Sequence, residues 1–225
     1  MLNKETRDQI VALIKREVVP AIGCTEPIAV ALCVAKATET LGTMPESIDV
    51  LLSGNMLKNA MGVGIPGTGM SGLPIAIALG AIVGKSEYQL EVLKDSTPEH
   101  VEKGKAYIAE KRINISLKEN ITEKLYIEVT VKAGDNTASA IIAGGHTHFI
   151  SITHNGEVLL SSKQKNGTQM ENKDIELSLR MVYEFADTVP IEEIEFINEA
   201  RRLNENASKK SLEGNYGHEL GKTLS

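Results

Sequence analysis

A cysteine at the start of a helix can serve as a base, a nucleophile or a ligand, and the segment Gly23-Cys24-Thr25-Glu26-Pro27 sets one in that place. Cys24 or Thr25 caps a helix that runs to about Leu41, with Pro27 in its first turn, where a missing amide costs nothing. The positive potential at a helix start favours the thiolate over the thiol. The competing reading is a buried structural cysteine, a common state of an unpaired thiol. Cys33 lies among apolar residues in the same helix and reads as structural.

Two further segments offer chemistry. Ser53-Gly54-Asn55-Met56-Leu57-Lys58-Asn59 leads into the glycine-rich run Gly62 to Gly72, which includes Pro66-Gly67-Thr68-Gly69-Met70. Glycine at that density lets backbone approach a ligand closely and offers amide donors to an anion. No Gly-Lys-Ser/Thr follows the run, and it lacks the βαβ setting of a dinucleotide fingerprint. A tight turn packed between helices is the alternative. In Gly144-Gly145-His146-Thr147-His148 the spacing predicts two histidines on one face of a strand. No third ligand stands at a recognisable spacing, so His146 reads as a substrate contact and no metal site is assigned.

The elements that must position these residues follow from periodicity. Helical spacing covers Lys4 to Val18, Asn55 to Met61, Pro74 to Val83 and Thr97 to Lys111, the last capped by Thr97 with Pro98 in first position. Alternation marks strands at Ser47–Ser53, Ile113–Leu117, Leu125–Val131, Thr137–Ala143, Thr147–Thr153 and Val158–Ser162. His154-Asn155-Gly156-Glu157 reads as a type I′ hairpin turn. Asp174 to Asn206 returns to helical spacing, broken at Pro190, and Tyr216 to Ser225 reads as a mid-chain segment. The fold class expected is α+β, a helical layer packed on a mostly antiparallel sheet.

The 225 residues carry a formal net charge of −6 with both signs interleaved, which excludes the clustered positive field that nucleic acid or an anionic membrane requires. Hydrophobic residues make up 42% and aromatics only 4%, so the core is aliphatic. No segment reads as a leader or a membrane span. Cys24 and Cys33 lie nine positions apart, which fits no metal-ligand spacing, and sequence leaves a disulfide between them open. An acidic chain of this kind is expected in the cytoplasm, with its thiols reduced.

Together these segments resemble a known family. Gly-Cys-Thr-Glu-Pro, the Asn55 to Leu79 stretch with Lys58-Asn59 and Pro66 to Met70, Gly144-Gly145-His146-Thr147, and His154-Asn155-Gly156 are similar, in order, to segments of the cysteine desulfidases, also described as serine dehydratase alpha-chain-like proteins. The resemblance implies an iron–sulfur lyase that uses a 4Fe–4S cluster to convert L-cysteine and water into pyruvate, ammonia and sulfide by α,β-elimination. It assigns the base to Cys24. It also implies that residues 1–225 are an amino-terminal region whose cluster-binding second half is absent, so that no cluster is expected on this chain alone. A complementary chain carrying the cluster cysteines is then an expected partner. Thr25, Glu26, Asn55, Lys58, Asn59 and Thr68 are expected to bind substrate, and His146 to contact its carboxylate or assist the leaving group as an acid. L-serine as substrate is the nearby alternative, and a non-catalytic domain that binds a small molecule or a partner chain is the other.

Overall fold

The computed structural model describes residues 2–162, 175–215 and 219–224, and they fall into two compact units. Asp174 and Tyr216, where two of the tail segments read from the sequence begin, lie outside the described residues. One unit gathers helices from both parts of the chain: α1 (Lys4–Glu17), α6 (Leu179–Thr188), α7 (Ile191–Ile194), α8 (Ile197–Glu213) and α9 (Leu220–Leu224). Asn3 caps α1 through its side chain and Ser178 caps α6. Within this unit Ile10 and Phe185 are buried, and the Arg7 guanidinium grips both carboxylate oxygens of Glu193 at 2.9 and 3.0 Å. The expected break at Pro190 is present, with Pro190 as the cap of α7.

The other unit, Ala21–Lys165, holds the chemistry-bearing segments. Its elements are α2 (Thr25–Leu41), β1 (Ser47–Leu52), α3 (Gly54–Ala60), β2 (Gly64–Ile65), β3 (Met70–Ser71), α4 (Leu73–Ile82), a 3-10 helix (Ser86–Glu91), α5 (Pro98–Ala109), and strands β4 (Ile113–Leu117), β5 (Tyr126–Ala133), β6 (Asn136–Ala143), β7 (Phe149–His154) and β8 (Glu157–Ser161). The fold is α+β. Six strands form one sheet in the order β4-β1-β5-β6-β7-β8, antiparallel except for β1 beside β4. That one parallel pair departs from the antiparallel expectation for a topological reason. The chain leaves β1, passes through α3, α4 and α5, and re-enters beside the start of β1 at Ile48↔Ile113, the crossover that a parallel pair requires.

Alternation decides which sheet face is covered. Ile48, Val50 and Leu52 of β1, Ile127, Val129 and Val131 of β5, and Ala138, Ala140 and Ile142 of β6 are all buried, while their neighbours along each strand are half-buried or exposed, apart from Ala143 at the end of β6, which is buried too. Helix α2 packs on that face against β5 and β6, and α4 packs on α2 and α5. This explains why α2 is apolar nearly all round: Ile28 to Ala35 is buried without interruption. Each fully buried Ile or Leu there contributes about 1.5–3 kcal/mol.

Two local departures matter for the site. The Gly62 to Gly72 loop contains a small hairpin, Gly64↔Ser71 and Ile65↔Met70. β7 begins at Phe149, so His146 and His148 occupy a turn after Gly144, not a strand, and the shared strand face expected for them does not exist. Gly144 has a φ of 75°, which ends the extended run before either histidine. The hairpin turn at Asn155-Gly156 forms as read, with both residues at positive φ.

Candidate functional site

One end of the sheet collects the segments singled out above. Leu52 of β1 pairs with Leu117 and Ile127, and Tyr126 pairs with Ala143, so the last residues of β1, β4 and β6 and the first of β5 share that end. From it α3 departs, held by Ser53, whose N–H donates to the Tyr126 carbonyl at 3.1 Å and whose hydroxyl donates to the Lys124 carbonyl at 2.7 Å. The turn carrying His146 departs there too, with the Gly144 N–H donating to the Leu125 carbonyl at 3.1 Å. The amino end of α2 meets α3 here, through the bond from Asn59 to Glu26.

The direct contact is between α2 and α3. The Cys24 thiol donates to Glu26 Oε2 at 3.0 Å, and the Thr25 hydroxyl donates to the same oxygen at 3.2 Å. Asn59 Nδ2 donates to the other oxygen, Oε1, at 3.1 Å. All four side chains are half-buried. Cys24 is the N-cap of α2, just before its first residue, but its sulfur makes no capping bond to the helix. Gly23 precedes it at a φ of 79°, and a Cβ there would stand 3.1 Å from the Pro66 ring, so glycine both permits the turn and lets the 62–72 loop close over it.

This geometry reverses the expected ionisation. Burial pushes the Cys24 thiol above its ordinary value, and the bond to the Glu26 carboxylate pushes it the same way. Glu26 is held below the usual carboxylate range, first by the bond from Cys24, with Asn59 and Thr25 adding to it. The resting pair is therefore a neutral thiol on an ionised carboxylate, not the thiolate that a helix start alone predicts. Cys33 is fully buried, its thiol donates to the Ala140 carbonyl at 3.2 Å, and burial drives its pKa far upward. Both cysteines are unpaired thiols, which closes the disulfide question.

The other expected residues divide. Lys58 and Asn59 each neighbour Asn55 on α3, at i+3 and i+4, but as consecutive residues they point about 100° apart around the helix, while Met56 and Ala60 are buried. Lys58 is exposed and forms no ion pair among the described residues. Asn55 also lines an open groove of about 540 Å3 bounded by Ser53, Leu117 and the Lys118–Lys124 segment. Nothing in the sequence pattern pointed to that segment, which lacks periodicity. Thr68 is not available to a ligand: it is buried, donates to the Ile65 carbonyl at 2.7 Å and accepts from the Met70 N–H at 3.0 Å, so it fastens its own loop. His146 is half-buried at the shared sheet end, with no hydrogen bond to Cys24, Glu26 or Asn59 among the described residues. It is His148 that settles on a backbone carbonyl, Ala143 O at 3.0 Å.

The residues present do not fit an iron–sulfur cluster. Cys33 is sealed in the core, which leaves one reachable thiol, and among the described residues no group of three or more His, Cys, Asp or Glu could hold a metal ion. Among the same residues no helix is long and apolar enough to cross a membrane.

No family model matches the chain. It is similar to UPF0597 proteins: 66% identical over 223 residues to one from Bacteroides fragilis, covering 99% of this chain and 52% of that protein. It is 65% identical over 224 residues to one from Phocaeicola vulgatus, covering 100% and 52%. A Porphyromonas gingivalis relative is 48% identical over 229 residues, covering 99% and 53%. The chain thus spans about half the length of the curated relatives it matches. These findings overturn the family expected from the motifs. Relatives that match the chain from end to end are named UPF0597 proteins, not cysteine desulfidases or serine dehydratases. The motifs have local explanations in the fold: a helix start closed by Pro66, a self-fastened hairpin loop, and a turn at the end of β6.

Proposed function

We propose that this chain supplies the acid–base part of a cytoplasmic lyase site for a small amino acid, L-cysteine or L-serine. The observation that carries the reading is the Cys24–Glu26 contact at 3.0 Å with Asn59 on the second carboxylate oxygen. A thiol and an ionised carboxylate at that distance hold one mobile proton between them and can pass it to or from a bound molecule. Lys58, exposed beside Asn59 in α3, offers a cation to the substrate carboxylate.

In this reading Cys24, once deprotonated, takes the α-proton of the substrate. The Cβ–S or Cβ–O bond breaks, and the leaving group departs as sulfide or water with a proton supplied by His146. The resulting aminoacrylate becomes the imine and is hydrolysed to pyruvate and ammonia. L-cysteine and water are thereby consumed, and no step runs through a cluster. A further polypeptide region, of the length of the relatives that this chain does not span, completes the enclosure.

The test is a chimera in which this chain replaces the matching half of the Bacteroides fragilis relative. Pyruvate from either amino acid, with sulfide from L-cysteine, is expected, and Cys24→Ala should abolish both. A folded chimera that yields neither product anaerobically with iron supplied refutes the elimination. The neutral resting thiol favours a second reading, in which the amino acid binds without turnover. Calorimetric binding with no product would select it.

A further inference from the structure

Glu26 is an anion held by neutral donors. Its oxygens accept from a thiol, a hydroxyl and an amide, and among the described residues it has no ion-pair partner. A thiol is a weak donor. A half-buried carboxylate that settles for one is poised to exchange it for a cationic N–H, whose bond is roughly twice as strong as a neutral one.

The neighbouring elements carry few charged groups. From α3, the exposed Lys58 directly precedes Asn59 in the chain. The Gly62–Gly72 loop, packed on Gly23 through Pro66, contains no charged residue. The 3-10 helix, whose Leu90 carbonyl accepts from the Ile22 N–H at 3.2 Å, carries two carboxylates, the exposed Glu87 and the half-buried Glu91. His146 stands at the same sheet end.

We propose that Glu26 is the receptor for the ammonium group of an amino-acid ligand, and that its occupation releases the proton of the Cys24 thiol. The inference rests on the amino-acid reading above and extends it to a trigger. The ammonium displaces the Sγ–H from Oε2, cancels the negative charge that held the thiol neutral, and sets a positive charge beside the sulfur. The thiol proton leaves to solvent and the thiolate forms only when the ligand is in place. Before that the sulfur is protected from oxidation by being neutral. Lys58 takes the ligand's carboxylate, so both charged ends of a zwitterion are used.

The experiment reads the thiolate directly, by ultraviolet absorbance of the whole chain against a Cys24→Ser control across pH. Three probes are compared: none, L-alanine, and propionate, which has the carboxylate and methyl group but no ammonium. L-alanine has no leaving group, so turnover plays no part. Saturating L-alanine is expected to lower the Cys24 midpoint by about 1 pH unit or more, the scale of a nearby opposite charge. Propionate should leave it in place. Glu26→Gln, which keeps the side chain's size at a half-buried position, should lower the midpoint without any ligand and remove the response to L-alanine. No shift with L-alanine up to its solubility limit overturns the proposal, as does an equal shift with propionate or a full response in Glu26→Gln. A shift without product in the chimera would sink the elimination and leave the trigger standing. Product without a shift would do the reverse.

Discussion

Replacing Gly80 by alanine tests the packing on which the position of Cys24 depends. Gly80 lies in α4 where it crosses α2, and an added Cβ would meet the Ala31 carbonyl oxygen at 2.6 Å and the Ala31 Cα at 3.1 Å. One turn further, a Cβ on Gly84 would stand 2.7 Å from the Cβ of Ala35. Ala31 and Ala35 are buried. At Gly80 the obstructing atoms are backbone, so no rotamer change relieves the clash and the two helices must separate. Overpacking of this kind costs about 1–3 kcal/mol, and a backbone obstacle belongs at the upper end. Alanine regains about 1 kcal/mol of helix propensity over glycine. The net expectation for Gly80→Ala is a loss of about 1–2 kcal/mol. Urea unfolding followed by circular dichroism reads it. Gly62→Ala is the control, because nothing lies within 4 Å of its added carbon, and it should change stability by less than about 0.5 kcal/mol. A Gly80→Ala protein as stable as its parent would refute the close-crossing argument. So would equal losses at both positions.

The remaining predictions are independent of that crossing. A small alkylating reagent should modify Cys24 in the native chain and Cys33 only on unfolding, because Cys33 is fully buried; the Cys24 rate should still be climbing above the pH where an ordinary thiol has levelled off, and equal rates or an early plateau would contradict the pairing with Glu26. Tyr107→Phe should destabilise by about 1–2 kcal/mol on thermal unfolding, since its hydroxyl donates to the Pro45 carbonyl at 2.8 Å in a buried setting and the acceptor is left without it. Asn59→Ala should raise the Glu26 midpoint toward the ordinary carboxylate value in an NMR titration, because a donor that lowers it is removed. The stability that parental Glu26 contributes is complete above the ordinary carboxylate pKa and disappears as pH falls through its lowered value. The variant should therefore lose stability at higher pH than the parent.

Much of the architecture was legible because patterning and caps act locally. Thr97 with Pro98 starts α5 as read, with His100 completing a capping box, and Pro27 sits in the first turn of α2. Strand alternation gave every strand of the large sheet within a few residues. What escaped was set by tertiary contact. The parallel placement of β4 depends on the path through three helices, and no residue of β4 itself encodes it. The close crossing of α2 and α4 had a trace in the sequence, small residues four apart at Ala31/Ala35 and Gly80/Gly84, but a uniformly apolar helix hides which face meets its neighbour. The Lys118–Lys124 wall of the groove left no trace, since irregular backbone has no period to read.

The site shows the same division between local and tertiary causes, and there a local rule led to the wrong answer. A cysteine at a helix start is expected to ionise easily, because exposed amides and the helix dipole stabilise its anion. The same potential acts on any acidic group at that end of the helix, and Glu26 lies two residues further on in the first turn. The group with the lower intrinsic pKa ionises first. Once it has, its carboxylate repels a second negative charge and offers the thiol an acceptor, and both effects keep Cys24 protonated. The order of ionisation therefore follows from the residue types, yet the outcome required knowing that Oε2 turns toward the sulfur. Asn59 directs that turn from a different element by holding Oε1. A Cys-Thr-Glu sequence at a helix start is thus ambiguous on its own, and the asparagine from α3 resolves it in favour of a neutral thiol on an ionised carboxylate.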